Sequence, residues 1–154
     1  MNSELFPPQP EPGTLRERSL VTSASYRKLN ILVIDDEPFI LEYVGKVLRQ
    51  VGYGTFFAED GDKALALFEE RRAEVDLVLT DIVMPESIDG LEVADRIRRI
   101  DPAVPVFFIT GAIPDEDPQI RSLNDRGFLL RKPFFPDQLI RFVENQVEHF
   151  GLAV

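Results

Sequence analysis

ILVIDDEP (31–38) carries three structural signals in eight residues. Its first four residues are apolar and mostly β-branched, a pattern that reads as a short buried strand. Three acids interrupt it. Pro38 then sits where a helix would start, because at the first helical position its missing N–H is not needed. Phe39, Ile40, Tyr43, Val44, Val47 and Leu48 follow at helical spacing as far as Gly52. Strand, acidic turn and amphipathic helix make one unit.

Working outward, the unit recurs four times. Thr55, Phe56 and Phe57 predict a second strand, and Ala64, Leu65, Leu67 and Phe68 a second helix ending near Arg72. DLVLT (76–80) is a third strand, followed by a helix through Leu91, Val93, Ala94, Ile97 and Ile100 that Asp101-Pro102 stops. VPVFFIT (104–110) is a fourth strand, with a short helix near 117–125. FLLR (128–131) is a fifth, and Pro136 opens a last helix with Leu139, Ile140, Val143 and Val147 on its apolar face. Continuously apolar strands between amphipathic helices mean strands buried on both sides. The expected fold is α/β, a doubly wound five-stranded parallel sheet with five helices.

The domain expected here runs over 29–154. Residues 1–28 read as a disordered or weakly ordered N-terminal tail, since Pro7, Pro8, Pro10, Pro12 and Gly13 crowd a polar segment unable to bury much apolar surface. Leu20 and Val21 form a weak apolar patch within it. The chain has a net charge of −10, of which the first 28 residues contribute +1 and the rest −11. So acidic a domain argues against nucleic acid as a partner and for a cation site or a basic protein. There is no apolar run of membrane-spanning length, no secretory leader and no Cys, which together predict no membrane association and a cytoplasmic setting.

In parallel α/β sheets, ligands bind outside the carboxyl ends of the strands. Here strand one ends in Asp35-Asp36-Glu37, strand three in Asp81, strand four in Thr110-Gly111 and strand five in Lys132-Pro133. Each has a plain structural use: Asp35 or Asp36 could cap the helix at Pro38, Asp81 could be a turn residue, Thr110 a strand residue and Lys132 a surface cation. Their joint placement at four strand ends favours a shared site. Converging carboxylates repel, and a hard divalent cation such as magnesium or manganese resolves the conflict. Lys132 and Thr110 would add a positive charge and a donor for phosphoryl oxygens, and a carboxylate so placed can attack phosphorus in line.

With these residues the chain strongly resembles the receiver domains of two-component response regulators, of the stand-alone, single-domain type, over about 29–154. ILVIDDEP is similar to the family's first strand and acidic pair, LVLTDIVMPESIDGLE to its phosphoacceptor segment, FFIT-Gly111 to its hydroxyl strand and LLRKPF to its lysine–proline segment. The resemblance implies the flavodoxin-like strand order 2-1-3-4-5. It implies a phosphoryl group on Asp81, received from a sensor histidine kinase or phosphotransfer protein. Mg2+ would be held by Asp35 (largely through water), Asp36, Asp81 and the backbone carbonyl of Val83. Thr110, Lys132 and the amides near Gly111 and Ala112 would bind phosphoryl oxygens, and Lys132-Pro133 would be cis. Such a domain is a switch that catalyses its own phosphorylation and dephosphorylation rather than a turnover enzyme. It would signal to a downstream protein target, as a monomer or a phosphorylation-dependent dimer.

The sequence departs from the family pattern in three places. The MPESIDG loop is one residue longer than the commonest form. The position three residues before the lysine, where the family has an aromatic, is Leu129, with Phe128 one earlier and so on the opposite strand face. GAIPDEDPQI (111–120) delays any fourth helix to about residue 115 or later. Two rival readings are a phosphatase similar to the haloacid dehalogenases and a degenerate scaffold. The first expects an Asp-x-Asp after strand one, which Asp35-Asp36 is not. The second conflicts with the full set of acids, Thr110 and Lys132.

Overall fold

The structure, a computed structural model, describes residues 28–111 and 116–152. The expectations for the N-terminal tail, including Leu20 and Val21, and for Ala112 lie outside the described residues. Five strands alternate with five α-helices: β1 (Asn30–Ile34), α1 (Pro38–Gln50), β2 (Gly54–Ala58), α2 (Gly61–Arg71), β3 (Leu77–Asp81), α3 (Gly90–Ile100), β4 (Val106–Thr110), α4 (Pro118–Asp125), β5 (Leu129–Arg131) and α5 (Pro136–His149). A single 3-10 turn, Arg72–Glu74, joins α2 to β3. All pairings are parallel and the order is β2-β1-β3-β4-β5, the doubly wound arrangement that the alternating pattern predicts.

The registers bring the strand ends to one level. Ile34 pairs with Ala58 and with Thr80, Asp81 with Ile109, and Thr110 with Arg131. β3 and β4 are buried along their whole length, which is why residues 77–79 and 106–109 are apolar without alternation. α1 packs on α5 and α2 on α3, so helices cover both faces of the sheet. Leu29 and Leu152 both belong to the core, which therefore extends over nearly the full described span.

Aspartates at the helix starts hold the loops at the carboxyl ends of the strands. Asp60 accepts from the Lys63 amide, Asp89 from the Glu92 amide, and Asp117 from the Gln119 amide, capping α2, α3 and α4. α1 differs. Its N-cap is Glu37, with no side-chain cap, and Asp35 accepts from the Glu37 amide at 2.9 Å instead. The helix-capping use considered for Asp35 and Asp36 is thus not realised: the N-cap position falls on Glu37, whose carboxylate turns to Lys132 instead.

Gly90, the first residue of α3, is needed for its smallness. Its amide donates to the Ile82 carbonyl at 2.8 Å, and a Cβ there would lie 2.0 Å from the Asp81 carbonyl oxygen. Gly90→Ala is expected to destabilise the protein by roughly 1–3 kcal/mol, the usual range for overpacking, read as a lowered urea midpoint. An unchanged midpoint would mean that the β3–α3 loop yields freely.

Candidate functional site

Four groups meet at the carboxyl ends of β1, β3, β4 and β5. Asp35 directly follows β1 and is fully buried; Asp81 is the last residue of β3 and 5% exposed; Thr110 ends β4 and is fully buried. Asp81 lies inside the strand rather than just past it, because its residue pairing with Ile109 continues the β3–β4 ladder. Lys132 follows β5, and its amide donates to the Thr110 carbonyl at 2.8 Å, fixing the root of its side chain beside β4. The Lys132–Pro133 bond is cis, as the resemblance implies.

The Lys132 ammonium is the hub. Its Nζ lies 2.9 Å from Asp35 Oδ2, 3.0 Å from Glu37 Oε1 and 3.4 Å from Asp81 Oδ2. Asp81 Oδ1 accepts from the Ile82 amide at 2.8 Å, which aims Oδ2 at Lys132. Asp35 Oδ2, though close to Lys132, is a buried oxygen with no aligned hydrogen bond, and Thr110 Oγ1 is buried with none. Thr110 Oγ1 is therefore a buried hydroxyl with its hydrogen-bonding capacity unused, and Asp35 Oδ2 has only its ion pair with Lys132.

The electrostatics follow from burial. Desolvation pushes the Asp81 carboxyl up from 3.8 to about 6, helped by the nearby Asp35 charge and opposed by Lys132 and the Ile82 amide. Asp35 is raised too, again first by burial, with Lys132 and the Glu37 amide pulling the other way. For Lys132, burial alone would lower the pKa. Contacts with Asp35 and Glu37, and the charges of Asp81 and Asp35, outweigh it and hold the ammonium above its ordinary value.

Asp35, Asp36, Glu37 and Asp81 can each offer a carboxylate oxygen, all within 4.8 Å of one another. Such an all-oxygen set, open to solvent at Asp36 and Glu37, suits a hard divalent cation that keeps part of its water. The structure therefore brings together Asp35, Asp36, Asp81, Thr110 and Lys132. Val83 lies two residues past Asp81 with its side chain 37% exposed. Gly111 is exposed beside Lys132, where a Cβ would be 3.1 Å from that residue's own Cβ. What sequence reasoning missed is Glu37 as a partner of Lys132. Its signal was the third acid in Asp35-Asp36-Glu37.

The aromatic question also resolves. Phe128 precedes β5 and packs in the core, with its ring centroid 5.5 Å from that of Phe107 and 6.2 Å from that of Phe150. Leu129 starts β5 in its place, and is itself nearly buried. Phe128 thus belongs to the α5 side of the sheet, and no aromatic stands at the strand position three residues before Lys132.

Comparison with known proteins agrees with this geometry. Residues 31–144 match the family model described as the response regulator receiver domain. The chain is 37% identical over 124 residues to the nitrogen assimilation regulatory protein NtrX of Azorhizobium caulinodans, covering 80% of this chain and 27% of that protein. It is 34% identical over 117 residues to the DNA-binding response regulator MtrA of Mycolicibacterium smegmatis, covering 76% and 50%. A response regulator receiver domain from Clostridium thermocellum aligns with a TM-score of 0.67 and 32% identity, over 77% of this chain and 94% of that one.

The chain thus spans about a quarter to a half of these two curated relatives' length. They also correct one expectation. Net charge led to nucleic acid being ruled out as a partner, yet MtrA is a DNA-binding regulator. The acidity describes this segment alone and says nothing of what a longer protein built on it contacts. Among the described residues, no helix is long and apolar enough to cross a membrane. Fold, strand-end chemistry and the match over 31–144 together establish that this chain belongs to the response regulator receiver domain family, whose general role is that of a phosphoacceptor.

Proposed function

We propose that Asp81 is the phosphoacceptor of this receiver. In this reading Asp35, Asp36 and Asp81, with the carbonyl of Val83, hold a magnesium ion. Lys132, Thr110 and the amides at Gly111 and Ala112 receive the phosphoryl oxygens, and the receiver unit begins at Leu29. The single observation that carries it is the posture of Asp81: one oxygen is fixed by the Ile82 amide at 2.8 Å and the other is turned to Lys132 at 3.4 Å, inside a cluster of four carboxylates.

The chemistry needs little covalent help from the protein. An Asp81 carboxylate oxygen attacks phosphorus and forms the new O–P bond. The donor's P–N bond to a phosphohistidine, or P–O bond in acetyl phosphate, breaks. The leaving group departs with the electron pair: imidazole takes a proton from solvent, and acetate leaves as the carboxylate. A bound magnesium ion supplies charge neutralisation and orients the phosphoryl oxygens. Asp35 and Asp36 fix its place, Lys132 meets the charge on one equatorial oxygen, and Thr110 Oγ1, which has no hydrogen-bond partner, donates to another. The product is the modified chain itself, so the domain is a self-modifying switch rather than a turnover enzyme. The phosphodonor is a histidine kinase or phosphotransfer protein, and a cytoplasmic setting fits that exchange.

The test is intact mass after incubation with magnesium and acetyl phosphate. The parent is expected to gain one phosphoryl group. Asp81→Asn, and the parent with the metal chelated, are expected to gain none. Uptake that persists in both controls would overturn the reading.

A further inference from the structure

We propose that Glu37 is an internal competitor for the phosphoryl group on Asp81, its carboxylate drawing the Lys132 ammonium away from the incoming phosphoryl oxygens. The inference rests on the reading of Asp81 as phosphoacceptor and names a residue that sets how readily that site fills.

An ammonium has three donors. The three acceptors around Lys132 Nζ are Asp35 Oδ2 at 2.9 Å, Glu37 Oε1 at 3.0 Å and Asp81 Oδ2 at 3.4 Å. Glu37 and Asp81 are aligned as hydrogen-bond acceptors, and Asp35 is held as an ion pair. A phosphoryl oxygen on Asp81 competes with them for the ammonium. Asp35 is fully buried and is anchored by the Glu37 amide at 2.9 Å. Asp81 is 5% exposed and anchored by the Ile82 amide. Turning away from Asp35 would strand a buried carboxylate, whereas Asp81 hands its contact on to the phosphoryl group it carries.

Glu37 differs from both, because its side chain is 61% exposed and water can replace Lys132 as its partner at little expense. Its backbone need not move: the Glu37 carbonyl already accepts from the amides of Ile40 at 3.0 Å and Leu41 at 3.2 Å. Displacement is a side-chain rotation. While Glu37 stays, it neutralises Lys132 and places a negative charge where the anionic phosphoryl must settle. The resting site is thereby self-satisfied, and the phosphoryl group enters by exchange.

The experiment compares initial rates of phosphoryl uptake from acetyl phosphate, with saturating magnesium, in the parent, Glu37→Gln and Glu42→Gln. The last changes the net charge equally at an exposed position of α1. Glu37→Gln is expected to be faster by roughly two- to fivefold, the range of an exposed ion pair, and Glu42→Gln to match the parent. A labelled parent with Glu37→Gln equal to it or slower overturns the inference; a slower variant would make Glu37 a contributor to cation binding instead. Equal acceleration in Glu42→Gln also overturns it, as a general charge effect. A parent that takes up no phosphoryl overturns the phosphoacceptor reading, and this inference with it.

Discussion

Asp81→Asn, which should end phosphoryl uptake, is also expected to make the protein more stable at pH 7 in the absence of divalent cations. Burial and the Asp35 charge raise the Asp81 carboxyl from 3.8 to about 6, so its ionised form is disfavoured in the fold. A rise of that size, with the opposing Lys132 contact already included, corresponds to at most roughly 3 kcal/mol. A net gain of about 1–3 kcal/mol is therefore expected, read as a higher urea midpoint.

The sign has a signature in pH. The folded state holds the Asp81 proton more tightly than the unfolded chain, so this group makes stability fall as pH rises from about 4 to about 6. Above that window the penalty is fully present. Asp81→Asn should remove that part of the slope, leaving the part due to Asp35, which is raised by the same cause. A variant less stable than the parent at pH 7 would mean that the ion pair to Lys132 outweighs the cost of burying the charge.

Lys132→Met is expected to do the reverse. It deletes the one cation shared by Asp35, Glu37 and Asp81, leaving two buried carboxylates facing each other. Breaking a buried pair from one side typically costs about 3–5 kcal/mol. Because Lys132 keeps 15% of its side chain exposed, roughly 2–4 kcal/mol is expected here. The loss should be greatest at pH 7 and above without metal, and smaller toward pH 5, where Asp81 takes up its proton. Combining it with Asp81→Asn should recover much of the stability, since the two changes act on one cluster. Additive effects in the double variant, measured by urea unfolding, would break that link.

Most of the fold was legible because the elements are locally self-consistent. ILVI (31–34), LVL (77–79) and VFFI (106–109) are apolar without alternation, as strands covered on both faces require, and Pro38, Pro118 and Pro136 each open a helix. The convergence of Asp35, Asp81, Thr110 and Lys132 was legible for the same reason, since a parallel sheet puts all its strand ends on one side. Glu37 was not. Its contact with Lys132 joins residues 95 apart in sequence, and no local pattern distinguishes a third acid that reaches inward from one that faces water. Phe128 was open as well, since one residue of register decides the face of a strand, and β5 proves to start after it. The charge argument failed on nucleic acid because it was extended from one segment to whatever protein carries it.

The most direct test of the central claim is to locate the phosphoryl group. The protein is phosphorylated with acetyl phosphate and magnesium and reduced with borohydride, which converts an aspartyl phosphate to homoserine, and the digest is then read by peptide mass. The expected result is homoserine at position 81 and nowhere else. Homoserine at position 35 or 36, or a stable phosphate on a hydroxyl side chain, would contradict the account.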